Sequence, residues 1–430
     1  MRRIMFVLVF MIGICLFGEA KESGIKLIPV YEKTFEDTIV DVIFDTVTVT
    51  LEEAKAMGWK EEAFSEEEKA KGEVVVAYPK VIFYGVPDSP VKGKVKRIEF
   101  WGKEDNILKV IDVKRDEDVI KSRRENYILI RKKIREESPY SKWEVYTTDG
   151  TMVLKKTGEY GIVPVDISDD GYLAMIRYPT FSGGPFGDGF IYDIRGNKIA
   201  EIENPIQVDE GWASAEFSDK GIIFGFSDAY TRSVIKLVDK EGHLRWTKEI
   251  MLGSYFLLNS APGVGIIIIF QDNNIKPYQI YVYCVGWNGE VKWRMPLEIG
   301  GIMDIEFEPS TNDIFISSCA GYLWRIRASS GRLVWRHREP WAPDISAKKW
   351  PEDIPRFREI NIVSNELIVR GCPFNTENKS TTLFAFDLRK NKLLDTFIYS
   401  GNVYVKTYKK KIYIISRRTL QQIIEKEVER

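Results

Sequence analysis

Leu237-Val238-Asp239-Lys240-Glu241-Gly242-His243-Leu244-Arg245-Trp246 runs from apolar residues through a polar turn closed by glycine into a segment with tryptophan four residues beyond that glycine. The same order returns in Val285-Gly286-Trp287-Asn288-Gly289-Glu290-Val291-Lys292-Trp293 and in Ile326-Arg327-Ala328-Ser329-Ser330-Gly331-Arg332-Leu333-Val334-Trp335. Weaker copies stand at Tyr146–Gly150, Tyr192–Gly196 and Phe386–Asn391, and a degenerate one at Phe100–Asn106. Turn glycines at 150, 196, 242, 289 and 331 are 42 to 47 residues apart. The next step is longer because Glu339–Arg358 is inserted before the turn near Asn391.

Each period divides into four short alternating segments, for instance Ala213–Phe217, Ile222–Phe226, Val234–Val238 and Leu244–Glu249. Period-two alternation makes strands. Turns such as Ser168-Asp169-Asp170-Gly171 and Ser218-Asp219-Lys220-Gly221 join the first two. Four strands per mid-forties period is the size of one propeller blade. The fold class expected is therefore all-β: a β-propeller of about seven four-stranded blades with a small α+β N-terminal appendage. The tail strands Asn402–Thr407 and Lys411–Ser416 are expected to close the ring with Lys80–Tyr84, Lys96–Phe100 and Ile107–Val113. Eight blades follow instead if residues 25–50 begin one of their own.

The domain division read from this pattern is 1–20 signal peptide, 21–79 appendage or elaborated first blade, 80–416 propeller and 417–430 C-terminal tail. Arg2 and Arg3 precede the apolar run Ile4–Phe17, and Gly18-Glu19-Ala20 supplies small residues for cleavage. That run is short for a membrane span, which needs about 20 residues. The chain is thus expected to be exported to a periplasm, cell envelope or extracellular space, with no transmembrane span once mature. Leu51–Met57 and Phe64–Lys71 have a charged helical pattern, and an assembly role for residues 21–79 is one expectation. Lys114–Glu137, where acids and bases alternate, reads as a solvated elaboration of the second repeat.

A composition of 44 % hydrophobic and 13 % aromatic residues excludes wholesale disorder. The net charge of −1 argues against a nucleic-acid partner, which calls for a basic excess. With Cys15 removed, Cys284, Cys319 and Cys372 remain, too few for a disulfide framework. They read as buried small hydrophobes. Scarce glutamine beside abundant Lys and Glu is the pattern of thermophile surfaces.

The stretch Gly321–Trp335 resembles the repeat of quinoprotein-like, pyrroloquinoline quinone-type propellers. In that family the third strand leads into an Ala/Asp-x-x-x-Gly-Lys turn and the following tryptophan docks blade on blade, which implies structural docking for Trp246, Trp293 and Trp335. The family holds both quinone-dependent dehydrogenases and non-enzymatic scaffolds such as the outer-membrane assembly propeller. This chain has no adjacent cysteines and no assignable calcium-binding set, so the non-enzymatic branch is expected, without cofactor. The turn also resembles repeats of bacterial arylsulfotransferases, which use a histidine nucleophile. The two histidines, His243 in a turn and His337 after an outer strand, do not suit a central channel.

Loops between the second and third strands of a blade, and loops between blades, leave one face of a propeller. The long loops expected there are Pro179–Gly189, Asp228–Arg232, Gln271–Tyr278, Glu339–Arg358 and Cys372–Ser380. Long loops on a rigid scaffold are where binding resides. The candidate binding face is Phe181, Phe186, Asp188, Asp228, Tyr230, Arg232, Asp272, Trp341 and Trp350, with a protein, peptide or glycan as partner. Ser182–Gly189 is glycine-rich but lacks the Gly-Lys-Ser/Thr and following helix of a phosphate loop. No catalytic or metal constellation can be read out. A propeller enzyme acting on a small molecule or sugar is the alternative, and it requires buried polar side chains with shifted pKa at the channel mouth.

Overall fold

The computed structural model describes residues 25–86, 94–132, 140–178, 187–206, 211–228, 232–250, 254–272, 279–297, 301–339, 356–363, 366–372, 380–409, 411–416 and 418–427. The expected signal segment lies outside them. Eight four-stranded antiparallel sheets form a β-propeller. Blades 1 to 7 take their strands consecutively from residues 39–112, 117–160, 162–202, 212–250, 254–297, 302–338 and 356–400. Blade 8 combines 403–427 with the N-terminal strand Ile25–Thr34, which pairs antiparallel with Thr419–Glu427 on the outer edge.

The expected closure is corrected accordingly. Lys80–Tyr84, Lys96–Phe100 and Ile107–Val113 fall in blade 1 beside Ile39–Thr50, not against the tail strands. Residues 419–427, read as a tail, form the third strand of blade 8. The charged stretch Lys114–Glu137 supplies the first two strands of blade 2, Glu117–Lys121 and Tyr127–Lys132.

The first strand of each blade lies innermost, and burial follows from that order. The second strand of blade 4, Gly221–Ser227, is buried throughout, while its outer strand Leu244–Ile250 alternates. A continuous apolar run suits a strand covered on both faces, and alternation suits one half in water. The core is accordingly a set of layers between neighbouring blades. Ile267, Ile269 and Trp293 of blade 5 pack on Ile314, Ile316 and Trp324 of blade 6, and each successive blade pair has a similar cluster.

The repeated turn has a physical cause. Asp105, Gly150, Gly196, Gly242, Gly289, Gly331 and Asn391 all have positive φ between the third and fourth strands of blades 1 to 7. A short hairpin loop that ends left-handed favours Gly, Asn or Asp. The glycine also makes room for the preceding blade. A Cβ at Gly331 would sit 2.5 Å from Trp293 Cδ2, and one at Gly289 would sit 3.0 Å from the Trp246 ring. Trp246 Nε1 donates to Trp287 O at 2.8 Å, and Trp293 Nε1 to Ala328 O at 2.7 Å. In blade 1 Lys109 occupies this place and its Nζ donates to Gly150 O; in blade 2 the place is Leu154's, and Lys156, two residues on, donates its Nζ to Gly196 O. Trp335 meets Phe386 of blade 7 edge-on at 5.5 Å.

Between the first two strands of blade 1 the chain inserts two short helices, α1 (Leu51–Ala56) and α2 (Glu66–Lys71). Both start with a capping box, Thr50 with Glu53 and Ser65 with Glu68. Trp59 is buried beneath them and stacks on Tyr31 of the closing strand at 4.5 Å. Lys60 N donates to Val30 O at 2.8 Å, so the insertion straps that strand to the ring.

Candidate functional site

Strand direction places the first-to-second turns and third-to-fourth turns at one end of the ring. The strands flanking 179–186, 229–231, 273–278, 340–355 and 373–379 end at the other. The α1–α2 insertion is therefore a long connection on the tight-turn face, contrary to the expectation that all long loops share one side. Of the candidate binding residues, Phe181, Phe186, Tyr230, Trp341 and Trp350 lie outside the described residues. Asp188 Oδ1 accepts from Asn204 N, and Asp228 Oδ1 from Arg232 N, each at 2.8 Å. Arg232 Nε donates to Glu249 at 2.6 Å, and Asp272 is buried. These four shape the stems of the loops.

The channel is where the charge collects. A cavity of about 510 Å³ is lined by the inner strands of blades 1, 2, 6, 7 and 8. Five carboxylates face it, Asp41, Glu125, Asp304, Glu306 and Glu359, with three cations, Lys121, Arg123 and Lys406. Among the described residues of the expected binding face, none lines it.

On one wall the charges close a ring. Lys121 contacts Asp41 and lies 2.8 Å from Glu125, while Lys406 contacts Glu125 and lies 3.3 Å from Asp41. Burial alone would raise the Asp41 pKa, but the two lysines outweigh it and hold the carboxyl well below its ordinary range. Burial likewise opposes the Lys121 charge, and Asp41 and Glu125 reverse that and push its pKa up. Two lysines and two carboxylates from blades 1, 2 and 8 thus offset one another's desolvation.

Further round, the inner strands clasp each other through polar side chains. Phe217 N donates to Asp166 at 2.9 Å, Ser260 N to Glu216 at 3.2 Å, and Ile360 N to Asp304 at 2.9 Å. Asn259 Nδ2 donates to Ile305 O at 2.9 Å. Each contact ties one blade to the next. Burial pushes Asp166 up to about 6, even though the Phe217 amide opposes it. It pushes Glu216 to about 7 against the Ser260 amide, with help from Asp166. Glu306 also rises to about 7, by burial and then by Asp304 beside it.

The turn Ser122–Asn126 of blade 2 lies at the tight-turn end. Ser122 Oγ accepts from Asn126 N and Tyr127 N, and Glu125 takes φ 60°. Arg124 N donates to Asp169 at 2.8 Å, pinning the turn to blade 3. So held, Arg123 reaches across the channel and donates Nη1 to Ser260 Oγ of blade 5 at 2.9 Å.

Both histidines lie away from the channel. His243 is exposed in an outer turn, with Nδ1 3.2 Å from Asp239. His337, on the outer strand of blade 6, has Nε2 2.7 Å from Glu339. Among the described residues, the one group of three that could share a metal is Asp239, Glu241 and His243. Asp239 already caps its own turn and pairs with Arg245, so nothing there beyond the turn points to a metal. Cys284 is buried, which pushes its thiol up to about 11. No described helix is long and apolar enough to cross a membrane.

No protein-family model matches the chain, and no curated protein matches it. Solved structures do. A computationally designed protein, Ika8, is similar at 11 % identity and a TM-score of 0.52, over 92 % of this chain and 98 % of that one. BamB from Moraxella catarrhalis is similar at 10 % identity and a TM-score of 0.50, over 92 % of this chain and 99 % of that one. The likeness is one of fold, the β-propeller of four-stranded blades.

Proposed function

We propose that this chain is an exported, non-catalytic propeller scaffold that binds a protein, peptide or glycan on the face opposite its tight turns, toward which the connections 179–186, 229–231, 273–278, 340–355 and 373–379 run. One observation carries the reading: the strands that flank those connections all end on that face. The ring behind them is clasped blade to blade by Asp166, Glu216, Asn259 and Asp304. A rigid scaffold presenting several loops together suits recognition. The resemblance of Gly321–Trp335 to quinoprotein-type repeats and the fold shared with BamB support the same reading. The test is affinity capture with purified parent and a Trp341→Ala/Trp350→Ala variant, followed by reconstitution of each captured partner in pure form. Loss of binding in the variant is expected, and capture of the same partners with equal affinity would overturn the reading. Export is tested by N-terminal sequencing of the mature chain, expected to begin at Lys21.

A second reading, an enzyme acting on a small molecule or sugar, has one observation in its favour. Glu216 and Glu306, both on inner strands, stand near 7, the range useful for general acid–base work. Turnover abolished by Glu306→Gln would support it, and turnover unaffected by that change would remove it.

A further inference from the structure

We infer that Arg123 is a latch across the tight-turn mouth of the channel, held from blade 5 and loosened when the acid beneath its acceptor takes up a proton. Ring geometry supplies the span. Blades 2 and 5 stand three places apart in a ring of eight, so the Arg123 side chain crosses the axis to reach Ser260 Oγ at 2.9 Å. Its base is fixed from both sides. Arg124 N donates to the Asp169 carboxylate of blade 3 at 2.8 Å, and Asn126 Nδ2 donates to the Asp169 carbonyl at 3.2 Å. Glu125 contacts Lys406 of blade 8, and Lys121 contacts Asp41 of blade 1. The far end is the part that can let go. Ser260 is fully buried, whereas Arg123 is exposed on its turn. Holding a long side chain extended costs rotamer freedom, and one bond to a neutral hydroxyl offsets little of it. A charge behind that hydroxyl shifts the balance.

Glu216 of blade 4 supplies the charge. Ser260 N donates to its carboxylate at 3.2 Å, so the serine that receives Arg123 is itself seated on that acid. Burial pushes Glu216 up to about 7 against the Ser260 amide; Asp166 of blade 3 adds to the rise and Arg123 opposes it. The opposition is reciprocal: Arg123 favours the ionised form of Glu216, and ionised Glu216 favours the spanning position of Arg123. Below about 7 the hydroxyl holds the bar alone, and above it the attraction of the carboxylate is added. The other charges facing the bar are few. Glu306 of blade 6 is exposed and also feels Arg123, with Asp304 and Glu308 on its own strand. Asp304 accepts from Ile360 N, and Asp169 acts on Asp166. Lys121 and Glu125, neighbours of Arg123 in sequence, are paired within the four-charge ring.

The experiment is hydrogen exchange with mass spectrometry on the full chain at pH 5 and pH 8, corrected for the intrinsic pH dependence of exchange and read on peptides covering 119–128. Ionising a carboxyl whose pKa is raised lowers global stability, so general loosening gives less protection at pH 8. The latch gives the reverse in this turn, with protection about tenfold higher at pH 8 than at pH 5. Arg123→Met is expected to remove the difference and leave the turn at its low-pH protection under both conditions. Glu216→Gln is expected to do the same, since its amide oxygen still accepts from Ser260 N but carries no charge. Should Glu216→Gln melt lower than the parent at pH 5, Arg123→Met decides alone, because an exposed turn residue is replaced without loss of folding. Equal or lower protection at pH 8 in the parent, or a difference that persists in Arg123→Met, would overturn the inference. So would a difference removed by Glu306→Gln and kept in Glu216→Gln, for the acid of blade 6 would then hold the bar. No partner or substrate enters the measurement, so its outcome is independent of capture on the loop face and of turnover.

Discussion

Asp313 is fully buried and meets two arginines of the third strand of blade 6, Arg325 Nε at 2.7 Å and Arg327 Nε at 2.9 Å. Arg325 also donates to Leu388 O and to Asn391 Oδ1, so the group joins blade 6 to the turn of blade 7. Removing the acid would strand a buried guanidinium. Asp313→Ala is therefore expected to cost about 3 kcal/mol or more in denaturant unfolding. The channel acids make the opposite kind of prediction. The carboxyl of Glu216 is raised by burial, so its folded form holds a proton more tightly than its unfolded form. Its contribution is greatest below the unfolded value of 4.5 and is lost as pH rises through about 7. Glu216→Gln should flatten that loss, so that melting temperatures at pH 5 and pH 8 converge in the variant. Asp41, lowered instead, contributes above 3.8, and that contribution is lost on acidification. In the sequence these residues are single polar interruptions of apolar strands: Val40-Asp41-Val42, Val165-Asp166-Ile167, Ala215-Glu216-Phe217 and Met303-Asp304-Ile305. The interruption is readable, but whether such a side chain meets water, a neighbouring blade or the channel depends on ring geometry. Lys121, Arg123 and Glu125 looked solvated for the same reason: Lys121 and Glu125 are balanced from blades 1 and 8, and Arg123 meets Ser260 of blade 5, all far away in sequence.

The hairpin between the third and fourth strands was the most legible element, because its turn chemistry is local. Gly331 combines φ 68° with the Trp293 ring beneath it. Gly331→Ala must add left-handed strain and a clash together, and a loss of about 2 kcal/mol is expected from equilibrium unfolding. The degenerate copies obey the same rule, since Asp105 and Asn391 adopt positive φ without being glycine. The helices were legible too, through the charged helical pattern of Leu51–Met57 and Phe64–Lys71, while their capping boxes at Thr50 and Ser65 went unread. Ile25–Thr34 and Thr419–Glu427 were not. Each lacks a nearby partner in sequence, and Gln421, Gln422, Glu425, Lys426 and Glu427 give the second of them a polar cast. Their pairing is a property of the closed ring. It cannot be read from either segment alone.

At the scale of the whole molecule, two loose ends share one sheet. Ile25 lies opposite Glu427 in an antiparallel pair, so a short turn joining 427 to 25 would follow the existing strands. A permuted chain starting near residue 36 and ending, through that turn, with 25–35 is expected to give the same ring. Circular dichroism and a melting temperature within a few degrees of the parent would show it, whereas aggregation or a collapsed transition would count against a closure held by pairing alone. The same junction sets a timetable for synthesis. The strand made first has its partner made last, with nearly the whole ring between them. At translation rates of about 5–20 residues per second, the opening strand waits on the order of 20–80 s before its neighbour exists. Throughout that interval the insertion carrying Trp59, which follows it within a few dozen residues, is the nearest cover for it. The strap that steadies the finished ring is thus also placed to chaperone its first strand.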